Sequence, residues 1–210
     1  KEKTFFKTEE DLEKVLSAID AHRKKREGKP GETPHHRWLK NMICVAVGTG
    51  LRRGELLNLR WRDVDLDPAG EGPPGRLVVR SREDFKPKNG DERTVPFGRR
   101  YALKTLQKMQ DAREPAPEDP VFVQKHGVQP HPNTVTIRFK DYVCMTDLPY
   151  REESCFHTTR HTTASWLVME GVPLFTVKRI LGHKDIETTQ KYAHLRPDAA
   201  SKAMQKVFGS

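Results

Sequence analysis

The chain reads as an α+β domain, mostly helical with one small three-stranded antiparallel sheet. Three observations predict this. Apolar residues recur at helical spacing in several separate stretches, and three short strand-like runs lie close together in the middle. Asn89-Gly90, the strongest hairpin-turn dipeptide present, falls between two of those runs. No internal repeat and no long low-complexity tract interrupts the 210 residues, so one domain over 1–210 is expected.

Taken in order, Thr8 followed by Glu9, Glu10 and Asp11 starts a helix, with acids at the positive end of its dipole. Leu12, Val15, Leu16 and Ile19 give that helix an apolar face. "HRKKREGKPGETPHH" then reads as a basic, exposed loop. A second, buried helix is expected over about Arg37 to Val47, ending at "GTG", where Gly48 and Gly50 can take backbone angles other residues resist. A third begins near Arg53. The strands fall at "WRDVDL", "RLVVR" and "RTVPF". After them "RRYALKTLQKMQDAR" is helical, "EPAPEDP" is a linker, and Pro132 opens a helix running to about Val143. From Thr158 the pattern is helical again, broken at Gly171-Val172-Pro173 and at Gly182-His183. A last helix is expected from Pro197 to Val207.

Lysine and arginine number 38 against 29 acids, a formal charge of +9, which points to nucleic acid as partner. The N-terminus lacks the apolar core of a secretory signal, and the longest apolar run, Met42 to Val47, is far too short to span a bilayer. Cys44, Cys144 and Cys155 form no CxxC pair, which reads as reduced thiols in a cytoplasmic, nucleoid-associated protein without a cysteine metal site. With no initiator methionine, the chain reads as a piece of a longer protein.

Four stretches carry residues suited to chemistry. In "TGLRRGELLNLRW", Arg52 enters a helix with Glu55 three residues on, an arrangement that holds a guanidinium fork towards an anion or makes an ordinary surface ion pair. In "KPKNGDER", Lys88 lies at a hairpin tip, there to donate a proton or simply to protect a strand edge. Lys86 falls on the same face, so the turn alone does not separate them. "CFHTTRHTTASWLV" places His157 and Arg160 on one side of a helix start, fit for a phosphate. His157 and His161 are also spaced like zinc ligands, but the glutamate of HExxH is replaced by threonine. "LGHKDIETTQKYAHL" puts His183 on a turn and Tyr192 nine residues later. A phenol with pKa about 10 attacks poorly until nearby cations favour the phenolate. Each signal has a structural explanation when isolated. Together they make a metal-free kit for phosphoryl transfer: arginines for the oxygens, histidine and lysine for protons, tyrosine as nucleophile.

The order and local sequence of these stretches resemble the catalytic domain of the tyrosine recombinases, the family of phage integrases. "TGLRRGELLNL" is similar to the first arginine motif, "PKNGDERTVPF" to the hairpin segment, "HTTRHTTASWLV" to the His-x-x-Arg-His box, and "LGHKDIETTQKYAHL" to the closing box. Thr159 stands where many members carry leucine. The resemblance implies the fold of the DNA breaking-rejoining enzymes, with Arg52, Lys88, His157, Arg160 and His183 around the nucleophile Tyr192 and Glu55 in support. It implies attack on a DNA phosphate, a 3′-phosphotyrosyl link, and no metal, ATP or other cofactor. Double-stranded DNA is the expected partner, contacted by Arg53, Lys86, Arg99, Arg100 and the basic run Arg23 to Arg26. A monomer without DNA and a homotetramer on synapsed DNA are expected, with no membrane contact. The N-terminal DNA-clamping domain usual in the family is not expected in this stretch. A type IB topoisomerase is the neighbouring alternative, though lysine usually stands there where His157 does; a DNA binder of the same fold without activity is the other.

Overall fold

The computed structural model describes residues 3–26, 37–67, 72–83, 85–87, 92–124 and 127–196, with Met204 and Phe208. Lys88, the Asn89-Gly90 turn and most of the expected last helix lie outside the described residues.

Helix α1 (Glu9–Arg26) starts where expected, with Asp11 Oδ2 accepting from the Lys7 and Thr8 backbone N–H groups at 3.0 and 3.3 Å. It runs further than the sequence suggested. The basic run Arg23 to Arg26 is its last turn rather than loop, because lysine and arginine are good helix formers and favour the negative end of the dipole. Helix α2 (Arg37–Thr49) is the central element, buried at nine of its positions from Trp38 to Thr49. Gly48 stays helical and lets Ala102 approach, while Gly50 (φ +68°) turns the chain. A side chain at Gly50 would sit 2.4 Å from Leu181, so glycine is required for space as well as angle.

Helix α3 (Arg53–Leu57) and a single turn at Trp61–Asp63 lead into the sheet. Strands β1 (Val64–Asp65), β2 (Gly75–Val79) and β3 (Arg93–Phe97) pair antiparallel in the order β1-β2-β3. β1 is shorter than "WRDVDL" because Asp63 turns inward, where its buried carboxylate holds Arg80 and Arg82 at 2.9 and 3.2 Å. Leu77 pairs with Val95 and both are buried, so alternation points one face at the core. Pro96 is exposed on β3, an edge strand, where a missing N–H costs no ladder bond.

A wide turn at Arg99–Leu103 feeds α4 (Lys104–Asp111), and Pro132 opens α5 (Pro132–Cys144) with His131 as its cap. Then come α6 (Thr158–Met169), α7 (Leu174–Leu181), the short α8 (Glu187–Gln190) and a final turn at Ala193–Leu195. One large apolar core joins α1, α2, the sheet, α4 and α5. A second, small cluster of Ala164, Val168, Val177, Leu181 and Tyr192 joins α6, α7 and the tail.

Candidate active site

The site forms where α3, β3, α6 and the end of α7 converge. Arg52 immediately precedes α3, and its backbone N–H and Nη1 both reach the Glu55 carboxylate, at 2.9 and 3.0 Å. Its Nη2 donates to the Gly182 carbonyl at 3.0 Å. Arg160, on the first turn of α6, is 2% exposed, and its Nη1 and Nη2 donate to the carbonyls of Gly50 and Leu181 at 2.6 and 2.7 Å. A guanidinium has five N–H donors, and these side-chain contacts engage two on each arginine.

Arg93 of β3 completes the cluster. Its two terminal nitrogens clasp Glu55 at 3.0 and 2.8 Å, and its Nε donates to the Ile180 carbonyl at 3.3 Å. Three consecutive carbonyls at the end of α7, those of Ile180, Leu181 and Gly182, thus receive Arg93, Arg160 and Arg52 in turn. The negative end of a helix dipole is a natural place to rest cations. Gly182 caps α7 at φ 65°, and a side chain there would lie 2.7 Å from Arg93 Nε. Burial alone would raise the Glu55 carboxyl. The Arg93 hydrogen bonds and charge, then the Arg52 contacts, outweigh it and hold that carboxyl below its ordinary value. Burial, followed by repulsion from Arg52, pushes Arg160 down to about 9, still protonated at neutral pH.

Tyr192 is 4% exposed. Burial lifts its phenol to about 12, with the Arg160 charge opposing. Its hydroxyl shares a 2.5 Å hydrogen bond with Nδ1 of His161. Burial and then His157 hold the His161 imidazole near pKa 3, so it is neutral, and its tautomer sets which of the two groups donates the hydrogen bond. His157 is exposed and meets His161 edge to face at 4.7 Å. His183 turns to Thr189 of α8, Nδ1 to Oγ1 2.9 Å, and burial with the Arg160 and Arg52 charges lowers it to about 3.

A surface groove beside this cluster is lined by Arg52, Arg53, Gly54, Thr136, Cys155, Phe156 and His157. Arg53 is fixed in it by the Pro132 carbonyl at 3.1 Å and by Thr136. Lys86 is exposed just past the tight Arg82–Phe85 turn, and Lys88 lies outside the described residues. Arg99 and Arg100 do not line the groove: Arg99 lines a separate pocket and Arg100 pairs with Glu9 at the start of α1. Among the described residues, no three His, Cys, Asp or Glu side chains converge as metal ligands would. No helix among them is long and apolar enough to cross a membrane.

Sequence reasoning named Arg52, Glu55, His157, Arg160, His183 and Tyr192, and the fold gathers them. It missed two partners. Arg93 gave no signal beyond being basic and near Lys88, and His161 drew notice only for its spacing from His157.

The model of the "Phage integrase family" matches residues 6–198. Tyrosine recombinase XerC of Xylella fastidiosa is 31% identical over 166 residues, covering 79% of this chain and 51% of the relative. The chain therefore spans about half the length of that relative. The Tn1549 transposon integrase, solved in complex with transposon right end DNA, superposes with a TM-score of 0.70 at 20% identity, over 100% of this chain and 68% of that one. The catalytic domain of bacteriophage HP1 integrase gives 0.62 at 21% identity, over 98% of this chain and 96% of that one. At such identities the structural likeness is one of fold. With the family match running from the start of the first core segment to beyond Tyr192, the chain belongs to the phage integrase family, as a tyrosine recombinase catalytic domain.

Proposed function

We propose that this chain cleaves and rejoins double-stranded DNA at specific sites, as the single catalytic domain of a tyrosine recombinase. The observation that carries the reading is the convergence of Arg52 and Arg160 on one turn of chain that also leads, through His183 and α8, to a buried tyrosine. Two fixed guanidinium groups suit the non-bridging oxygens of a phosphodiester as charge grows on them.

In this mechanism the scissile phosphate enters the groove between Arg52 and His157 and takes up the remaining arginine N–H groups. The Tyr192 hydroxyl attacks phosphorus, forming a 3′-phosphotyrosyl bond and releasing a 5′-hydroxyl. The leaving oxygen takes its proton from Lys88. His183 assists in holding the phosphate, and His157 serves proton transfer on the tyrosine side. Attack by the 5′-hydroxyl of a second duplex reverses the chemistry and completes exchange. The phosphoester energy is conserved in the tyrosyl link, so no nucleotide and no metal is required. Arg53, fixed beside Arg52, and the exposed Lys86 would meet the DNA backbone, with Arg99, Arg100 and the end of α1 as outer contacts. Recombination would join four copies on two duplexes.

The test is a pool of nicked duplexes with randomised arms, incubated with the chain, denatured and resolved for covalent adducts. A chelator-resistant adduct is expected, absent from Tyr192→Phe, and sedimentation of the same mixture should show tetramers only with DNA. DNA binding without any adduct would leave an inactive binder of this fold. Chelator-sensitive hydrolysis would overturn the metal-free chemistry.

A further inference from the structure

The Glu55 carboxylate is crowded. It is 2% exposed and accepts four N–H bonds: Arg52 Nη1 and Arg93 Nη1 on Oε1, the Arg52 backbone and Arg93 Nη2 on Oε2. That uses the acceptor positions of both oxygens. One negative charge is thereby shared by two positive ones. Had position 93 been neutral, Arg52 and Glu55 would form a closed ion pair with no net charge. Such a pair has little attraction left for a phosphate, since the carboxylate already supplies what the phosphate would offer.

We propose that Arg93 is a positioning residue for strand cleavage, which neutralises Glu55 so that Arg52 is held in place without losing its charge to the residue that holds it. The proposal rests on the recombinase reading above. Geometry supports it beyond the charge count. Arg93 is a fork, and both prongs engage the carboxylate, which fixes Glu55 against rotation. The Arg93 side chain is only 11% exposed, against 19% for Arg52, so it is the inner of the two cations and the less able to touch DNA itself. Its Nε bond to Ile180 and its packing over Gly182 tie the same carboxylate to the end of α7, from which Arg52 and Arg160 are also held. Arg93 is thus the group through which β3, α3 and α7 share one electrostatic arrangement.

A structural salt bridge would show the same contacts, and rescue separates the two. The rate of adduct formation on nicked DNA is compared for the parent chain, Arg93→Gln, Glu55→Gln and the double variant, with folding followed by thermal unfolding. Arg93→Gln should slow the adduct by roughly 10–100-fold, up to the scale on which misplacing a positioned group costs rate. Adding Glu55→Gln should restore the rate to within about threefold of Glu55→Gln alone, because the charge that Arg93 cancels is then gone. Arg93→Lys, which keeps the cation without the fork, should stay within about tenfold of the parent. The proposal is overturned if Arg93→Gln slows the Glu55→Gln chain by as large a factor as it slows the parent. It is also overturned if folded Arg93→Lys is as slow as Arg93→Gln. Should Arg93→Gln not fold, the Arg93→Lys rate decides alone. If the parent forms no adduct on any duplex, the recombinase reading fails and this proposal with it; an active parent with no rescue removes this proposal only.

Discussion

The arginine half and the tyrosine half of the site are built in opposite ways. Arg52, Arg93 and Arg160 stand at the edges of α3, β3 and α6, buried or half-buried, and are tied to a carboxylate and four backbone carbonyls from distant parts of the chain. Tyr192 follows a four-residue helix and rests in a five-residue apolar cluster separate from the main core, with its hydroxyl on His161. The difference teaches where rigidity is needed. Charge stabilisation works only if the donors are already aimed when the phosphate arrives. On the proposed reading Tyr192, which starts 4% exposed, has to shift to meet a phosphate, which suits a residue held by a small cluster rather than by the main core.

Replacing Arg160 with methionine should break this contrast most severely. The Gly50 and Leu181 carbonyls would lose their donor, at roughly 1–3 kcal/mol for each buried group left unpaired. Adduct formation should fall by about 10²–10³-fold or more. A variant within a few-fold of the parent rate in the nicked-duplex assay would show that the rigid half is scaffold rather than chemistry. Leu181→Ala comes next, because that residue serves both halves: its side chain is fully buried beside Tyr192 and its carbonyl takes Arg160. A loss of about 2–5 kcal/mol in denaturant unfolding is expected, with the Tyr192 titration moving down from its elevated value as the ring gains water. If stability falls while Tyr192 still titrates near 12, the small cluster is not what keeps the phenol buried.

The two halves were also unequally legible. Hydrophobic period, turn residues and Pro132 sufficed to place most of the helices and the three antiparallel strands, since these depend on neighbours along the chain. The basic, turn-rich stretch after Ala21 reads as loop, but α1 continues to Arg26, since the turn residues come only after that and lysine and arginine favour helix. Helix α6 shows what a local pattern leaves out. Thr158, Thr159, Arg160, Thr162, Thr163 and Ser165 are polar, yet all are buried. Their burial depends on partners that no local window contains: Thr163 donates to the Val47 carbonyl at 2.8 Å and Thr162 accepts from the Phe6 backbone at 3.0 Å. The same holds for the clasp of Arg93 on Glu55, 38 residues apart, and for His161 with Tyr192, 31 apart. Residue types announced the chemistry; which groups touch was decided by packing.

The finest test of the contrast uses pH. His161 is held neutral down to about pH 3, first by burial and then by the charges of His157, Lys3, Arg160 and Lys191, whereas an unfolded histidine binds its proton near 6.5. His183 behaves likewise under burial and the arginine charges. Between those two values the unfolded chain carries the extra protons. The stability contributed by keeping these rings neutral is therefore complete above about pH 6.5 and is lost as pH falls towards 3. Each histidine adds a slope of at most about 1.4 kcal/mol per pH unit. His161→Phe removes one of the two contributions, so its unfolding free energy should fall less steeply with acid than that of the parent. At neutral pH the variant should be weaker by only about 1 kcal/mol, the cost of leaving the Tyr192 hydroxyl unpaired. An unchanged acid slope would mean that His161 is not buried neutral against the tyrosine, and the hydrogen bond that holds the Tyr192 hydroxyl would have to be sought elsewhere.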